Sequence, residues 1–417
     1  MTIMDIQNLY RLFGQHPRIS TDSRKIARDS IFFALRGANF DGNRFAAAAL
    51  EQGAAAAVVD NPQIYGSHPE LHDRMMLCDN ALCALQELAR EHRRRLNIPI
   101  VAIVGSNGKT TTKELTAAVL ARKYRIHATA GNLNNHIGVP LTLLAMDGTT
   151  ELGVVEMGAS ACGEIALLAS IAAPDYGIIT NIGLSHLEGF GGAEGIRRGK
   201  GELYDWLSAH GGTAFIRHED ETLAAMASER QAMRAEFYPT SLADGMQSNL
   251  AGDYNRYNIA AAVAIGRRFG VADDDIKAAI AAYEPSNNRS QRTVTERNTL
   301  IIDCYNANPS SMEAAIRNFA TEPAGNRSRR VMILGDMLEL GEWSARQHTA
   351  IASLAAASGA EVLLCGEHFA AADHQSLRVF ADRKELEKYL ADNPISDSLV
   401  LIKGSRGIGL EHTVPLL

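Results

Sequence analysis

Residues 98–112 read IPIVAIVGSNGKTTT. The apolar run Ile98–Val104 has the length and composition of a strand buried on both faces. It runs into the turn Gly105-Ser106-Asn107-Gly108 and then, from Lys109-Thr110-Thr111-Thr112, into the helical pattern Thr111–Ala121. Strand, glycine-rich turn and helix in that order make a phosphate-binding loop. Glycines let the backbone wrap a polyphosphate with several N–H groups turned inward, and the helix N-terminus adds partial positive charge. Lys109 would reach the β- and γ-phosphates, and the Thr110 hydroxyl would bind Mg²⁺. The commoner loop has a glycine where Ile103 stands, so this is the shorter form G-x-x-G-K-T. A plain turn with an exposed lysine is the competing reading; it leaves the strand before and the helix after unexplained.

The pattern continues on both sides. Apolar strands at Leu152–Glu156, Tyr176–Asn181 and Thr213–Ile216 alternate with helical segments, which implies a parallel, doubly wound sheet. Ala260–Phe269 and Asp274–Ala282 read as helices closing that domain. Upstream, Ile31–Leu35 and Ala54–Val59 are short apolar runs in a small α/β unit. Ala81–Leu96 has helical spacing and ends in Arg93–Arg95, read as a solvated helix end. Beyond Pro285 and the polar stretch 286–292 a third α/β series begins. Its strands are Leu300–Cys304, Val331–Leu334, Glu361–Cys365 and Leu399–Ile402, with helices at Ser310–Phe319 and Ser344–Ala357. The expected fold is therefore α/β in three domains: a small α/β domain (1–78), a central P-loop-type parallel-sheet ATPase domain (79–290) and a C-terminal Rossmann-like domain (291–417). Residues 285–292 would be the hinge.

Composition narrows the class. At 417 residues the chain is long enough for two to four domains. With 46% hydrophobic and 21% charged residues it is an ordinary globular chain, not a disordered one. The net charge of -7, from 41 Lys+Arg against 48 Asp+Glu, speaks against a protein that coats nucleic acid. No run approaches the roughly 18–20 apolar residues of a membrane span, and MTIMDIQNLYRLF lacks the features of a secretion leader. Cys78, Cys83, Cys162, Cys304 and Cys365 are odd in number and scattered. A disulfide framework or structural zinc site is not expected, and a reducing cytoplasm is.

Further strings follow in order. They are Gly131-Asn132-Leu133-Asn134-Asn135-His136-Ile137-Gly138, Glu156-Met157-Gly158, Thr180-Asn181-Ile182-Gly183, Ser185-His186-Leu187-Glu188 and Lys200-Gly201-Glu202. Then come Asn255-x-x-Asn258, Asp303-Cys304-Tyr305-Asn306-Ala307-Asn308-Pro309, Gly335-Asp336-Met337-Leu338-Glu339-Leu340-Gly341 and Lys403-Gly404-Ser405-Arg406. With GSNGKTTT, this series resembles the Mur ligase family, the ATP-dependent amide ligases of peptidoglycan precursor synthesis. YNANP, GDMxELG and KGSR look like the member that joins D-Ala-D-Ala to UDP-N-acetylmuramoyl-tripeptide. Thr21-Asp22-Ser23-Arg24, 31–37 and Phe40-Asp41-Gly42 look like that member's uridine-nucleotide domain. The third-residue-adding ligase, whose D-N-P-R type motif is not visible here, a folylpolyglutamate-type ligase and a non-ligating nucleotide module are the alternatives.

The resemblance implies ATP, two Mg²⁺ ions, a monomer, and a set of site residues. Gly105 to Thr111 would hold the phosphates. Thr110 and Glu156 would hold one Mg²⁺, and His186 a second; Glu156 alone reads as a partnered strand-end carboxylate and His186 as a loop histidine. Lys200 would be carbamylated by CO₂, so that a carbamate faces the metal; otherwise it binds phosphate or faces solvent. Asn255 and Asn258 match base contacts, although Tyr254 stands where the family has His. Arg289, Asp303 and Tyr305 would complete the nucleotide site. Asn134, Asn135 and Asn181 would line the muramoyl-peptide side, Ser23 and Arg24 the uridine diphosphate, and Asn306, Asn308 and Arg406 the D-Ala-D-Ala pocket.

Overall fold

The computed structural model describes residues 5–285, 289–323 and 325–417. Residues 286–288 of the expected hinge lie outside the described residues. Three mostly parallel sheets follow one another along the chain, as the three α/β series implied.

The central sheet has the strand order Arg234–Tyr238, Thr213–Arg217, Tyr176–Ile179, Ile100–Val104, Leu152–Glu156 and Ile126–Ala128, all parallel. Successive side chains on a strand point to opposite faces. Val101 and Ile103 therefore pack with Leu115, Val119 and Val263, from the helices Lys109–Leu120 and Asn255–Arg268. Ile100, Ala102 and Val104 pack on the other face with Leu85, Leu143, Leu168 and Leu203. Two apolar faces make the strand an unbroken hydrophobic run.

The N-terminal sheet runs Ile19–Ser20, Ile31–Phe33, Ala56–Val59, Met75–Leu77, also parallel. Its core is not separate from the central one. Leu9, Phe13, Phe33 and Val58 share a cluster with Leu85 and Leu88, so the helix Ala81–Leu96 seals both units. The C-terminal sheet runs Gln291–Val294, Asn298–Asp303, Ser398–Lys403, Arg329–Gly335, Glu361–Cys365 and Arg378–Phe380. Only its first pair is antiparallel. Asn80, Asn308 and Asp382 cap the helices that follow them, each accepting the backbone N–H three residues on.

One expectation fails. Arg93 does not end a solvated helix; it is buried. Its guanidinium donates to the carbonyls of Ala172 and Ala173 and to Asp175, at 2.8–2.9 Å. The first two are orphan carbonyls at the end of the helix Glu164–Ala172, and a cation there opposes the helix dipole. Asp175 in turn accepts the backbone N–H of Ile100, where the loop-bearing strand begins. Arg93→Ala is expected to cost about 2–3 kcal/mol, because it strands charge-assisted acceptors in a buried setting. Arg93→Lys should recover only part of that, since an ammonium cannot reproduce the fork. Thermal and denaturant unfolding of the two variants check it.

Candidate active site

The carboxyl ends of the central and C-terminal strands border one cleft of about 810 Å³. Open parallel sheets bind ligands at that end. The phosphate loop forms its floor. Gly105 (φ +148°) and Gly108 (φ +78°) have backbone that a side chain would strain; a Cβ on them would collide with Thr180 Oγ1 and Asn258 Oδ1.

Neighbouring loops fix the rest. The Asn107 carbonyl accepts from Thr180 Oγ1 (2.6 Å) and Asn181 Nδ2 (3.0 Å), and its N–H donates to Asn181 Oδ1 (3.1 Å). Ser106 Oγ donates to the Gly183 carbonyl and accepts the Gly183 N–H. From the C-terminal domain, Asn308 Nδ2 donates to Asn107 Oδ1 at 2.7 Å. Lys109 Nζ bends back onto the Gly105 and Ser106 carbonyls, 2.8 and 3.2 Å away. Burial pushes its pKa down, and nearby Glu156 partly offsets this. Thr110 and Thr111 line the same floor.

Glu156 closes its strand at 1% exposure. Its N–H donates to Thr129 Oγ1, and its Oε1 accepts from Asn134 Nδ2 at 2.8 Å. Its Oε2 is buried with no hydrogen-bond partner. His186 Nδ1 lies 2.5 Å from Glu339 Oε2 of the C-terminal domain, without the alignment of a hydrogen bond. Both residues hold left-handed backbone, at φ +52° and +62°. The imidazole keeps the Glu339 carboxyl below its usual range. Lys200 is buried and is not among the residues that line the cleft; its ammonium lies 4.9 Å from the centre of the Phe190 ring. Burial, helped by the charge of Lys109, lowers its pKa to about 7. Among the described residues no three His, Cys, Asp or Glu side chains cluster closely enough to hold a metal ion by themselves.

Asn255 and Asn258 reach the cleft, and their amides also bond within the protein, each Nδ2 using one of its two N–H groups. Asn255 Nδ2 donates to the Ala251 carbonyl, Asn258 Nδ2 to Asn255 Oδ1, and Thr112 Oγ1 to Asn258 Oδ1. Across the cleft, Asp303 pairs with Lys403 at 2.6 Å. The guanidinium of Arg289 stacks 3.6 Å from the Tyr305 ring centre, and that of Arg406 lies 5.6 Å from it.

The remaining sequence candidates divide. Asn134, Asn135, Asn181, Asn306 and Asn308 all line the cleft. Asn135 Oδ1 accepts the N–H groups of Ile137 and Gly138, and Asn306 Oδ1 that of Ala307. Asn134, Asn181 and Asn308 hold Glu156 and the loop, as above. Arg406 borders a second hollow, outside the cleft lining. Ser23 and Arg24 lie in the N-terminal domain away from the cleft, and the exposed Arg24 is forked onto Asp22. Sequence reasoning passed over Thr129, Glu339 and Lys403. The last two stood inside quoted motifs; Thr129 carried no signal.

Family models match along the chain: Mur ligase family, catalytic domain, at 17–93; Mur ligase middle domain at 103–245; and Mur ligase, glutamate ligase domain, at 288–406. The UDP-N-acetylmuramoyl-tripeptide–D-alanyl-D-alanine ligase of Bacillus subtilis (strain 168) is 36% identical over 95% of this chain and 92% of its own. The ligase of the same name from Escherichia coli (strain K12) is 31% identical over 96% and 93%. A crystal structure of MurF from Acinetobacter baumannii superposes with a TM-score of 0.86 at 27% identity, covering 100% of this chain and 98% of that one. MurF ligase from Thermotoga maritima in complex with ADP gives 0.83 at 25%, covering 96% and 97%. Full-length likeness in sequence and fold, over a cleft with the phosphate loop at its floor, establishes that the chain belongs to the Mur ligase family.

Proposed function

We propose that the chain is an ATP-dependent ligase joining D-Ala-D-Ala to UDP-N-acetylmuramoyl-tripeptide, giving the pentapeptide precursor, ADP and phosphate. One observation carries it: Lys109 on a rigid phosphate loop shares a cleft with a buried carboxylate oxygen that has no partner. The choice of substrates follows the B. subtilis and E. coli relatives.

A carboxylate is a poor acyl donor because oxide is a poor leaving group. The acceptor's carboxylate oxygen attacks the terminal phosphorus of ATP, and ADP leaves. The dipeptide's amine then attacks the acyl carbon, phosphate leaves with the C–O bonding pair, and the nitrogen loses a proton. Gly105 to Thr111 present N–H groups and a helix N-terminus to the phosphates. Lys109 exchanges its loop carbonyls for phosphate oxygens and neutralises charge that grows on them. Closure of the C-terminal domain over the cleft would keep water from the acyl phosphate.

The donor set fits Mg²⁺, which takes one or two carboxylates and completes its shell with substrate phosphates and water. Glu156 Oε2 is the vacant oxygen such an ion needs. Thr110 and Glu156 would hold one ion, and His186 with a carbamylated Lys200 a second. When bound, Mg²⁺ supplies Lewis-acid neutralisation of the transferring group. A lysine with a pKa near 7 offers CO₂ the neutral amine it requires.

Asp303 and Tyr305 serve the ribose side, with Arg289 by the phosphates. Asn135 and Asn306 offer free N–H groups to the peptide substrates. Ser23 and Arg24 take the uridine diphosphate, and Arg406 the dipeptide carboxylate. Domains 1–78, 79–290 and 291–417 carry acceptor, ATP and dipeptide, and residues 285–292 form the hinge between the last two. A cytoplasmic setting suits five free cysteines and an ATP substrate.

Phosphate release should require ATP, UDP-N-acetylmuramoyl-tripeptide and D-Ala-D-Ala together; release indifferent to the dipeptide would refute this function. Lys109→Met should lower kcat about 10²–10³-fold with an unchanged circular dichroism spectrum. For Lys200 the sign is set by the depressed pKa: the neutral amine gains population as the pH rises from about 6 to about 8. Under ¹³CO₂ a carbamate signal should grow over that range and be absent in Lys200→Ala. Its absence from the wild type would remove the modification.

A further inference from the structure

Thr129 and Lys113 have no part in the chemistry above, and both are buried. The edge strand Ile126–Ala128 runs parallel to Leu152–Glu156 with Ala128 opposite Val154, and the Thr129 N–H donates to the Val154 carbonyl. In a regular parallel ladder the next bond would run from the Glu156 N–H to the Thr129 carbonyl. That bond is replaced. The Glu156 N–H donates instead to the Thr129 hydroxyl, Oγ1, at 2.9 Å. The Thr129 carbonyl accepts from Lys113 Nζ at 2.8 Å. Lys113 stands one turn beyond Lys109 on the phosphate helix Lys109–Leu120, and its other near neighbour is Glu114 Oε1, 3.5 Å away. A buried ammonium is costly unless it is bonded, so the lysine ties Thr129 to that helix.

Glu156 is thereby held at two points, its N–H by Thr129 and its Oε1 by Asn134. What is left is the direction of the unpartnered Oε2. A cation shared between that oxygen and nucleotide phosphates needs the strand end and the phosphate helix in one register. Lys113 and Thr129 are a direct link between the two. We propose that Thr129, held by Lys113, is a positioning residue that aims Glu156, and that it sets the affinity of the nucleotide-loaded cleft for a divalent cation. Groups that orient a ligand in this way carry about 10–100-fold in metal affinity. The inference rests on the reading of Glu156 as a cation ligand.

Mn²⁺ is the probe, titrated into the full chain with a non-hydrolysable ATP analogue and followed by electron paramagnetic resonance. Thr129→Val keeps the side-chain shape and removes the hydroxyl. It is expected to weaken Mn²⁺ about tenfold or more, while saturating Mn²⁺ returns the affinity for the analogue to the wild-type value. Thr129→Ser, which keeps the hydroxyl, should bind Mn²⁺ as the wild type does. Lys113→Met should weaken Mn²⁺ in the same sense, because the Thr129 carbonyl is then free to take the Glu156 N–H. In turnover of Thr129→Val, the Mg²⁺ concentration giving half the maximal rate should rise by a similar factor, with the KM for D-Ala-D-Ala unchanged. Wild-type Mn²⁺ affinity in Thr129→Val would overturn the proposal. So would a loss of analogue binding that excess Mn²⁺ does not restore, or a Thr129→Ser chain as weak as Thr129→Val. Wild-type affinity in Lys113→Met would remove the lysine from the arrangement. Wild-type affinity in Glu156→Gln would instead defeat the reading of Glu156 as a ligand.

Discussion

The rest of the molecule depends on how tightly the backbone at Ser106 and Asn107 is held. A glycine-rich turn left to solvent would sample many conformations, and ordering each residue costs about 1–2 kcal/mol. Here Thr180, Asn181 and Gly183, just beyond the neighbouring strand, bond to it from one side. The parallel pairing of Ile100–Val104 with Tyr176–Ile179 brings those residues alongside. Gly105 and Gly108 allow the approach. The anion site is thus arranged before any anion arrives, so its N–H groups need no reorganisation when charge develops.

The same cleft gathers charge that is poorly compensated. Burial depresses both Lys109 and Lys200, the charge of Lys109 adds to the effect on Lys200, and Glu156 answers Lys109 only from a distance. Buried ions without close partners are costly. A bound triphosphate would supply the counter-charge that the lysines lack. The helix Ala193–His210 makes the crowding possible: side chains at Gly195 or Gly199 would collide with Phe190, the residue that covers Lys200.

Much of this was legible in the sequence. Strands buried on both faces, such as Leu152–Glu156 and Glu361–Cys365, read as apolar runs and match to the residue. Edge strands did not. Arg234–Tyr238 and Gln291–Val294 have one solvent face and polar composition, so their character comes from a neighbour. Arg93 reads as a surface charge until the end of another helix is placed against it. In the site, residue types were readable and partners were not. The resemblance places Asn134, Asn181 and Asn308 beside substrates, and the fold also gives each a protein partner that the sequence did not reveal: Glu156, Asn107 and again Asn107. Glu339 contacts His186 only through domain packing.

Asn107 is gripped from two sides, its backbone by the central domain and its side chain by Asn308 at the start of the C-terminal helix Pro309–Thr321. That makes loop geometry and domain position thermodynamically linked. A ligand that shifts the C-terminal domain changes the affinity for nucleotide to the extent that nucleotide favours one arrangement of that contact, and nucleotide then changes the affinity for that ligand by the same factor. Reciprocity of this kind needs no relay of intervening residues, because a single asparagine belongs to both equilibria.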